Sequence, residues 1–388
     1  MFVLPYIIKG KKGIMIKRSF FGLQKPKLEY DVITAYPHNL PEIVPSKKVQ
    51  LFVEAIFDQI NKILIKPGDE VKAGQKLTLF EDKNHYCISS VTGKIAEISP
   101  YIGDFGQKMT SITINVSASS NTYTQFKEIT ESLSLATMKN FLSCLPGNFP
   151  VSLFADTKKP INMVLIMGID SDLLLNTQQY IVRTQSRHIK SGVAALKQTA
   201  GVNKVVMAVT DGLVQDANAT GANVKIVPST YPEASPLLIL KDILGKEVPA
   251  GKSLGDMGVA VISAEAAASL GKAFDTKQIP LKKIVTIIDK TGTKHIVSAV
   301  IGTPISDIFK KLKISTNQGD RVIIGGPMMG SSAYTEQHPI ERGTDGIIVQ
   351  EKDSVPITSN NACINCGECV RICPTNVPVN MLVRFLEA

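Results

Sequence analysis

Between Cys363 and Cys373 four cysteines fall at C-x2-C-x2-C-x3-C spacing, and Pro374 follows the last of them. Few patterns restrict a chain so tightly. Three thiolates at this spacing require the backbone to curl through a tight loop that sets three sulfurs on three irons of a 4Fe-4S cubane. A fourth cysteine followed by proline ligates the other cluster in two-cluster proteins. Zinc sites instead pair two short C-x2-C units across a spacer. Cys363, Cys366, Cys369 and Cys373 are therefore the candidate metal and cluster ligands, and the chemistry they imply is one-electron transfer.

With Cys373 assigned to another cluster, the first cubane is one ligand short. The remaining cysteines, Cys87 and Cys144, lie in stretches that read as strand or loop, where a thiol packs as a small apolar group. The sequence holds one such run and continues for 15 residues past Cys373. The expectation is that a ferredoxin-like partner subunit, or a further C-terminal segment, supplies a second cysteine run.

The 388 residues suit two to three domains, and 44% hydrophobic content is ample for packed cores. No apolar run reaches the ~18–20 residues that cross a bilayer. The start, Met-Phe-Val-Leu-Pro-Tyr-Ile-Ile-Lys9, places its charges after its apolar stretch, the reverse of a signal peptide. A cytoplasmic location without a direct membrane span is expected, and four of six cysteines in one ligand run do not make a disulfide framework. The net charge is +9, but Lys and Arg are dispersed, Trp is absent and aromatics total 6%. No stacking surface for nucleic acid is expected; an acidic redox partner or a membrane complex suits the charge better. His38, His85, His188, His295 and His338 show no metal-ligand spacing.

Along the chain an α/β multidomain organisation emerges. After an N-terminal arm (1–45), residues 46–118 alternate short strand-like runs with turns at Pro67-Gly68, Ala73-Gly74 and Thr92-Gly93, as a β-rich barrel-sandwich hybrid requires. This unit resembles biotinyl and lipoyl carrier domains. Lys83, in Glu81-Asp82-Lys83, stands near the carrier lysine position, but the flanking intervals are one residue short and an exposed turn lysine is expected. Residues 119–280 read as α/β, with buried-strand runs Asn162-Met-Val-Leu-Ile-Met and Lys204-Val-Val-Met-Ala-Val flanking a helical stretch, which implies a parallel crossover. Residues 281–330 read as a β-grasp-like module, 331–360 as linker by their Gly, Ser, Thr and Pro content, and 361–388 as the ferredoxin-type cluster segment.

Several stretches carry a family resemblance: Lys66-Pro-Gly-Asp-Glu-Val-Lys-Ala-Gly-Gln, Phe80-Glu-Asp-Lys, Tyr231-Pro-Glu, Gly245-Lys-Glu-Val-Pro-Ala-Gly, Ile301-Gly-Thr-Pro-Ile and Gly319-Asp-Arg-Val-Ile-Ile-Gly-Gly-Pro-Met-Met-Gly. With the terminal cysteine run, the chain resembles the C subunit of Rnf electron-transport complexes and the A subunit of the sodium-pumping NADH-quinone reductase. The resemblance implies an α/β domain like the flavin-bearing subunit of respiratory complex I and a β-grasp module of the SLBB type. It also implies other subunits of a membrane redox complex as partners and peripheral association with the cytoplasmic membrane.

Rnf C subunits hold flavin mononucleotide and NADH with a loop of the type Gly-Gly-Ala-Gly-Phe-Pro-Thr, whose glycines let backbone amides approach phosphate. Here the matching stretch is Cys144-Leu-Pro-Gly-Asn-Phe-Pro-Val-Ser, and the family's acidic motif survives as Met167-Gly-Ile-Asp170-Ser-Asp172. Neither flavin mononucleotide nor NADH is expected to bind. The leading function is thus an iron-sulfur electron-transfer subunit of a membrane-associated oxidoreductase complex, and not a self-sufficient NADH dehydrogenase. A complete NADH-oxidising flavoprotein subunit and a noncatalytic assembly or quinone-site scaffold are the alternatives.

Overall fold

A computed structural model describes residues 28–355 and 361–387, apart from 35, 38, 56–62, 82–84, 104–105, 119–122, 124–125, 127–140, 157, 246 and 374–375. Lys83, His38 and the basic groups at Lys9–Lys12 and Lys17-Arg18 lie outside the described residues.

Strand β1 (Glu42–Ile43) belongs to a sheet built mostly from residues about 240 positions later, described below. The barrel-sandwich unit follows: β2 (Lys48–Val53), β3 (Glu70–Val71), β4 (Lys76–Thr78), β5 (Tyr86–Ile88), β6 (Gly93–Ile102) and β7 (Lys108–Val116). Four strands run β2-β7-β6-β3, and β4 pairs with β5. Along β2 the side chains alternate, with Val49, Leu51 and Val53 buried against Leu77, Leu79, Ile95, Ile112 and Ile114; a period of two puts one face in the core. The register between β6 and β7 shifts at Ile95/Glu97, a bulge that bends the long hairpin. Residues 63–66 form no strand, although Leu64 N–H donates to Leu79 C=O at 2.9 Å.

The α/β unit holds the short helix α1 (Val151–Ala155), β8 (Met163–Met167), α2 (Thr177–Ala200), β9 (Lys204–Val209), α3 (Val214–Asn218), β10 (Asn223–Ile226), α4 (Pro236–Leu244), β11 (Val259–Ser263) and α5 (Ala264–Thr276). Its sheet is wholly parallel, in the order β10-β9-β8-β11. All five residues of β8 are buried, as expected for a parallel strand covered on both faces. Helices α2 and α5 press together where Gly192 and Gly271 meet the opposite backbone, and a Cβ at either would collide with it.

The third sheet contains β12 (Lys282–Ile288), β13 (Lys294–Val300), β14 (Arg321–Ile324), β15 (Ser331–Ser332) and β16 (Gly346–Gln350), with helix α6 (Ile305–Leu312) supplying Ile305, Ile308 and Phe309 to its core. Its order, β1-β13-β12-β16-β14-β15, corrects one expectation. Residues 331–360 are not merely linker. Their run Gly346-Ile-Ile-Val-Gln is a buried central strand, parallel to β12 and antiparallel to β14. The flanking Ser, Thr and Pro residues conceal a five-residue strand that makes sense only between its neighbours. The described part of the N-terminal arm, 28–45, packs on the body of the protein: β1 extends the sheet beside β13, Glu29 bridges Thr230, and Tyr30 and Ile33 are buried.

Two helices close the described chain, α7 (Glu368–Ile372) and α8 (Val379–Glu387). No described helix is long and apolar enough to cross a membrane.

Candidate functional site

The cysteine segment is an open loop leading into α7. Cys363 and Cys366 are exposed, and Cys369 and Cys373 half-buried. Asn365 (φ 57°), just before the second cysteine, and Gly367 (φ 72°), just after it, take left-handed conformations that turn the chain on either side of Cys366. Cys369 lies in α7 and Cys373 caps it, one turn later and therefore on the same side. The Asn380 side-chain amide donates to Asn365 Oδ1 at 2.6 Å, tying α8 back to the loop. Among the described residues no three His, Cys, Asp or Glu side chains are gathered as a metal-holding group. Cys363 and Cys366 stand in the loop, and Cys369 and Cys373 on the helix that follows it. The donor set fits a cluster: four thiols lie within one loop and helix turn, and metal binding itself is what organises such ligands.

Cys373 lies within electrostatic reach of Tyr231 in the α/β unit. Burial pushes the Tyr231 hydroxyl up in pKa, helped by negative charge on Asp172 and on Cys373. Asp172 is held in turn by the turn Gly325–Gly330: its carboxylate accepts the N–H groups of Met328 (3.1 Å) and Met329 (2.8 Å). Around α7 and α8 the surface carries apolar side chains, with Ile364 86%, Phe385 73% and Leu386 88% exposed.

Cys87 and Cys144 belong elsewhere. Cys87 sits in the barrel core and Cys144 in the α/β core, and burial pushes both thiols up. Of the described histidines, His188 meets Asp275, His295 meets Asp289, and His338 lies between Tyr101 and Glu341.

The two degenerate stretches of the α/β unit come together at the starts of α2 and α5. Asp170, 3% exposed, accepts the N–H groups of Gln178 (3.0 Å) and Gln179 (3.4 Å). Burial raises its pKa to about 7, the backbone N–H of Gln178 opposing and the charge of Asp345 adding to the rise. Gln178 then reaches across, its Oε1 accepting the Glu265 N–H at 3.0 Å. At the same helix start the Ser263 hydroxyl accepts the Ala266 N–H (3.0 Å) and donates to the Gly147 carbonyl (3.1 Å). Gly147 has φ 86°, and a Cβ there would strike the Ala266 backbone.

Sequence reasoning missed the charge cluster beneath. Lys283, 0% exposed on β12, pairs with Glu265 on α5 and with Asp345 at 2.8 Å. Burial works against its ammonium, but the adjacent Asp345 and Glu265 outweigh it and the lysine stays charged. Thr177 and Thr286 hydroxyls meet at 2.8 Å alongside. A lysine heading the apolar run Lys283-Ile-Val-Thr-Ile-Ile was the one signal available, since an inward-facing charge in a buried strand demands a partner.

Comparison with known proteins places these features. Residues 34–119 match the family described as "RnfC Barrel sandwich hybrid domain", and residues 356–379 match "4Fe-4S binding domain". The C subunit of the Na(+)-translocating ferredoxin:NAD(+) oxidoreductase complex of Acetobacterium woodii is 24% identical over 341 residues, spanning 82% of this chain and 76% of that protein. Its counterpart in the proton-translocating ferredoxin:NAD(+) oxidoreductase complex of Clostridium ljungdahlii is 26% identical over 389 residues, spanning 94% and 84%. The C subunit of the ion-translocating oxidoreductase complex of Rhodobacter capsulatus is 28% identical over 246 residues, spanning 60% of this chain and 47% of that one.

Proposed function

The chain belongs to the Rnf C-subunit family, and on that footing we propose that it is an iron-sulfur electron-transfer subunit of a membrane-associated, ion-translocating oxidoreductase complex. The observation that carries this is the cysteine run within a segment matching a 4Fe-4S binding domain. Cys363, Cys366 and Cys369 hold one cluster, and Cys373 ligates a second cluster with a ferredoxin-like partner. The subunit docks peripherally on the cytoplasmic side of the membrane with the other subunits of its complex. The α/β unit is taken as the counterpart of the flavin-bearing subunit of complex I, and the third sheet with α6 as an SLBB-type module. The divisions of the chain are 46–118, 119–280 and 281–330, the last completed by β1 and β16.

The cluster, when bound, supplies one-electron transfer. This chain's residues set its position and surroundings. The left-handed turns at Asn365 and Gly367 aim the exposed thiols of Cys363 and Cys366 outward, where a redox partner makes its approach. Cys373 lies within electrostatic reach of Tyr231 in the α/β unit. Burial and hydrogen bonds to sulfur tune the potential of such a centre.

The test is iron and acid-labile sulfide content with EPR on anaerobically purified protein. Cys366→Ala is expected to lose most of its iron and its signal; unchanged iron and signal would overturn the assignment. The single chain is expected to hold substoichiometric iron that rises when the cognate partner is added. A stable four-iron cluster in the lone chain, insensitive to loss of Cys87 and Cys144, would instead put Cys373 on the same cubane.

A further inference from the structure

Anionic cofactors bind α/β domains where helix N-termini leave backbone N–H groups free and a glycine loop lets them come close. In this chain the two long helices that meet at that place are α2, 24 residues, and α5, 13 residues. Neither start is open. The Gln178 and Gln179 N–H groups are taken by the Asp170 carboxyl, and the Asn176 N–H by the Thr286 hydroxyl at 3.2 Å. The Glu265 N–H is taken by the Gln178 side chain, and the Ala266 N–H by Ser263.

The loop matching the glycine-rich cofactor loop closes over what is left. Gly147 lies against the first turn of α5, its N–H donating to the Arg342 carbonyl at 2.8 Å and its carbonyl held by Ser263. Leu145, Phe149 and Val151 around it are buried in the apolar core. Charge adds to the steric argument. Asp170, Glu265 and Asp345 supply three carboxyl groups to this region. Lys283, the buried lysine among them, is committed to Glu265 and Asp345. A phosphate entering here would find the Lys283 ammonium already paired with two carboxylates and the Arg342 guanidinium bonded to the Ser143 carbonyl, so no cation is left open to it at low dielectric.

We propose that the α/β unit has filled its own phosphate site: Asp170, Gln178, Ser263 and Gly147 occupy the starts of α2 and α5, and the chain binds neither flavin mononucleotide nor NADH. Hydride donors deliver electrons in pairs and a 4Fe-4S cluster takes them singly. In any assembly that uses a nicotinamide nucleotide, a flavin on another polypeptide must therefore stand between that donor and this chain.

The test uses the full chain with its cluster reconstituted anaerobically, titrated separately with flavin mononucleotide, NADH and inorganic phosphate. The expected result is an unchanged Tm and no flavin retained through gel filtration. Stoichiometric flavin, or a Tm that rises and saturates with either nucleotide, would overturn the proposal. Asp170→Ala, which strips the acceptor from two buried N–H groups, is expected to lose several degrees of Tm. Asp170→Asn, which keeps an acceptor oxygen, is expected to retain it. An Asp170→Ala protein as stable as the parent would show that the carboxyl does not hold the helix start, and would equally overturn the proposal. Iron content, measured on the same samples, reports separately on the cluster assignment.

Discussion

The cysteine segment and the junction between the α/β unit and the third sheet treat polar groups in opposite ways. In the segment, Cys363 and Cys366 stand exposed on a left-handed loop and α8 turns Phe385 and Leu386 outward. At the junction, Asp170, Glu265, Lys283 and Thr286 are buried and answered by partners of this chain. A group that must meet an external ligand or partner is left accessible and its geometry incomplete; a group that serves the fold is enclosed and hydrogen-bonded. The stretches around Gly147 and Asp170 lie on the second side of that division.

The sharpest way to break the contrast is at the ligands. Alanine at Cys363 or Cys369 is expected to remove most of the iron, as at Cys366, while urea unfolding of the remaining domains stays near that of the parent. A junction that lost stability with the cluster would mean that the two regions are one cooperative unit.

Next in size is Lys283→Met. It leaves Glu265 and Asp345 without their ammonium, and removing one partner of a buried ion pair costs about 3–5 kcal/mol. The Lys283→Met/Glu265→Gln double variant is expected to recover part of this in the same urea titration. An unaltered midpoint for the single variant would show that the junction does not depend on the pair.

A smaller effect follows from Asp170, whose folded pKa of about 7 lies above the ordinary carboxylate range. A raised folded pKa means that its contribution is fully present below about pH 4 and is lost as pH climbs through about 7, with a slope of at most about 1.4 kcal/mol per pH unit. Glu265, Lys283 and Asp345 face the same region; burial raises the Glu265 pKa in the same direction, and Lys283 stays charged through this window. Asp170→Asn is expected to flatten this decline between about pH 4 and pH 8 in thermal unfolding; an identical decline would assign it to other groups.

The smallest expected change is Phe385→Ser on α8. A residue 73% exposed contributes little to folding, so stability of the lone chain should move by less than about 0.5 kcal/mol. A larger loss would show that α8 is held by the body of the protein.

Local spacing made part of this molecule legible from its residues alone. The cysteine run needs only a turn of eleven residues, and the apolar runs Met163–Met167 and Lys204–Val209 with a helix between them are bound to pair in parallel. The alternation of Val49, Leu51 and Val53 gives the barrel strand its inner face. What tertiary structure decided involves residues far apart in sequence. Gly346–Gln350 reads as linker until β12 and β14 stand on either side of it, and Glu42–Ile43 has no role until β13 offers an edge. Asp170 and Asp172 read alike, yet one is enclosed under a helix start and the other caps the turn at Met328–Met329. Lys283 finds Glu265 eighteen residues away and Asp345 sixty-two residues away. Hydrogen-bond and charge satisfaction inside a core is a property of the whole enclosure, so sequence spacing could single out the candidate cluster cysteines, whereas only the packed chain could show the N–H groups at the starts of α2 and α5 already paired.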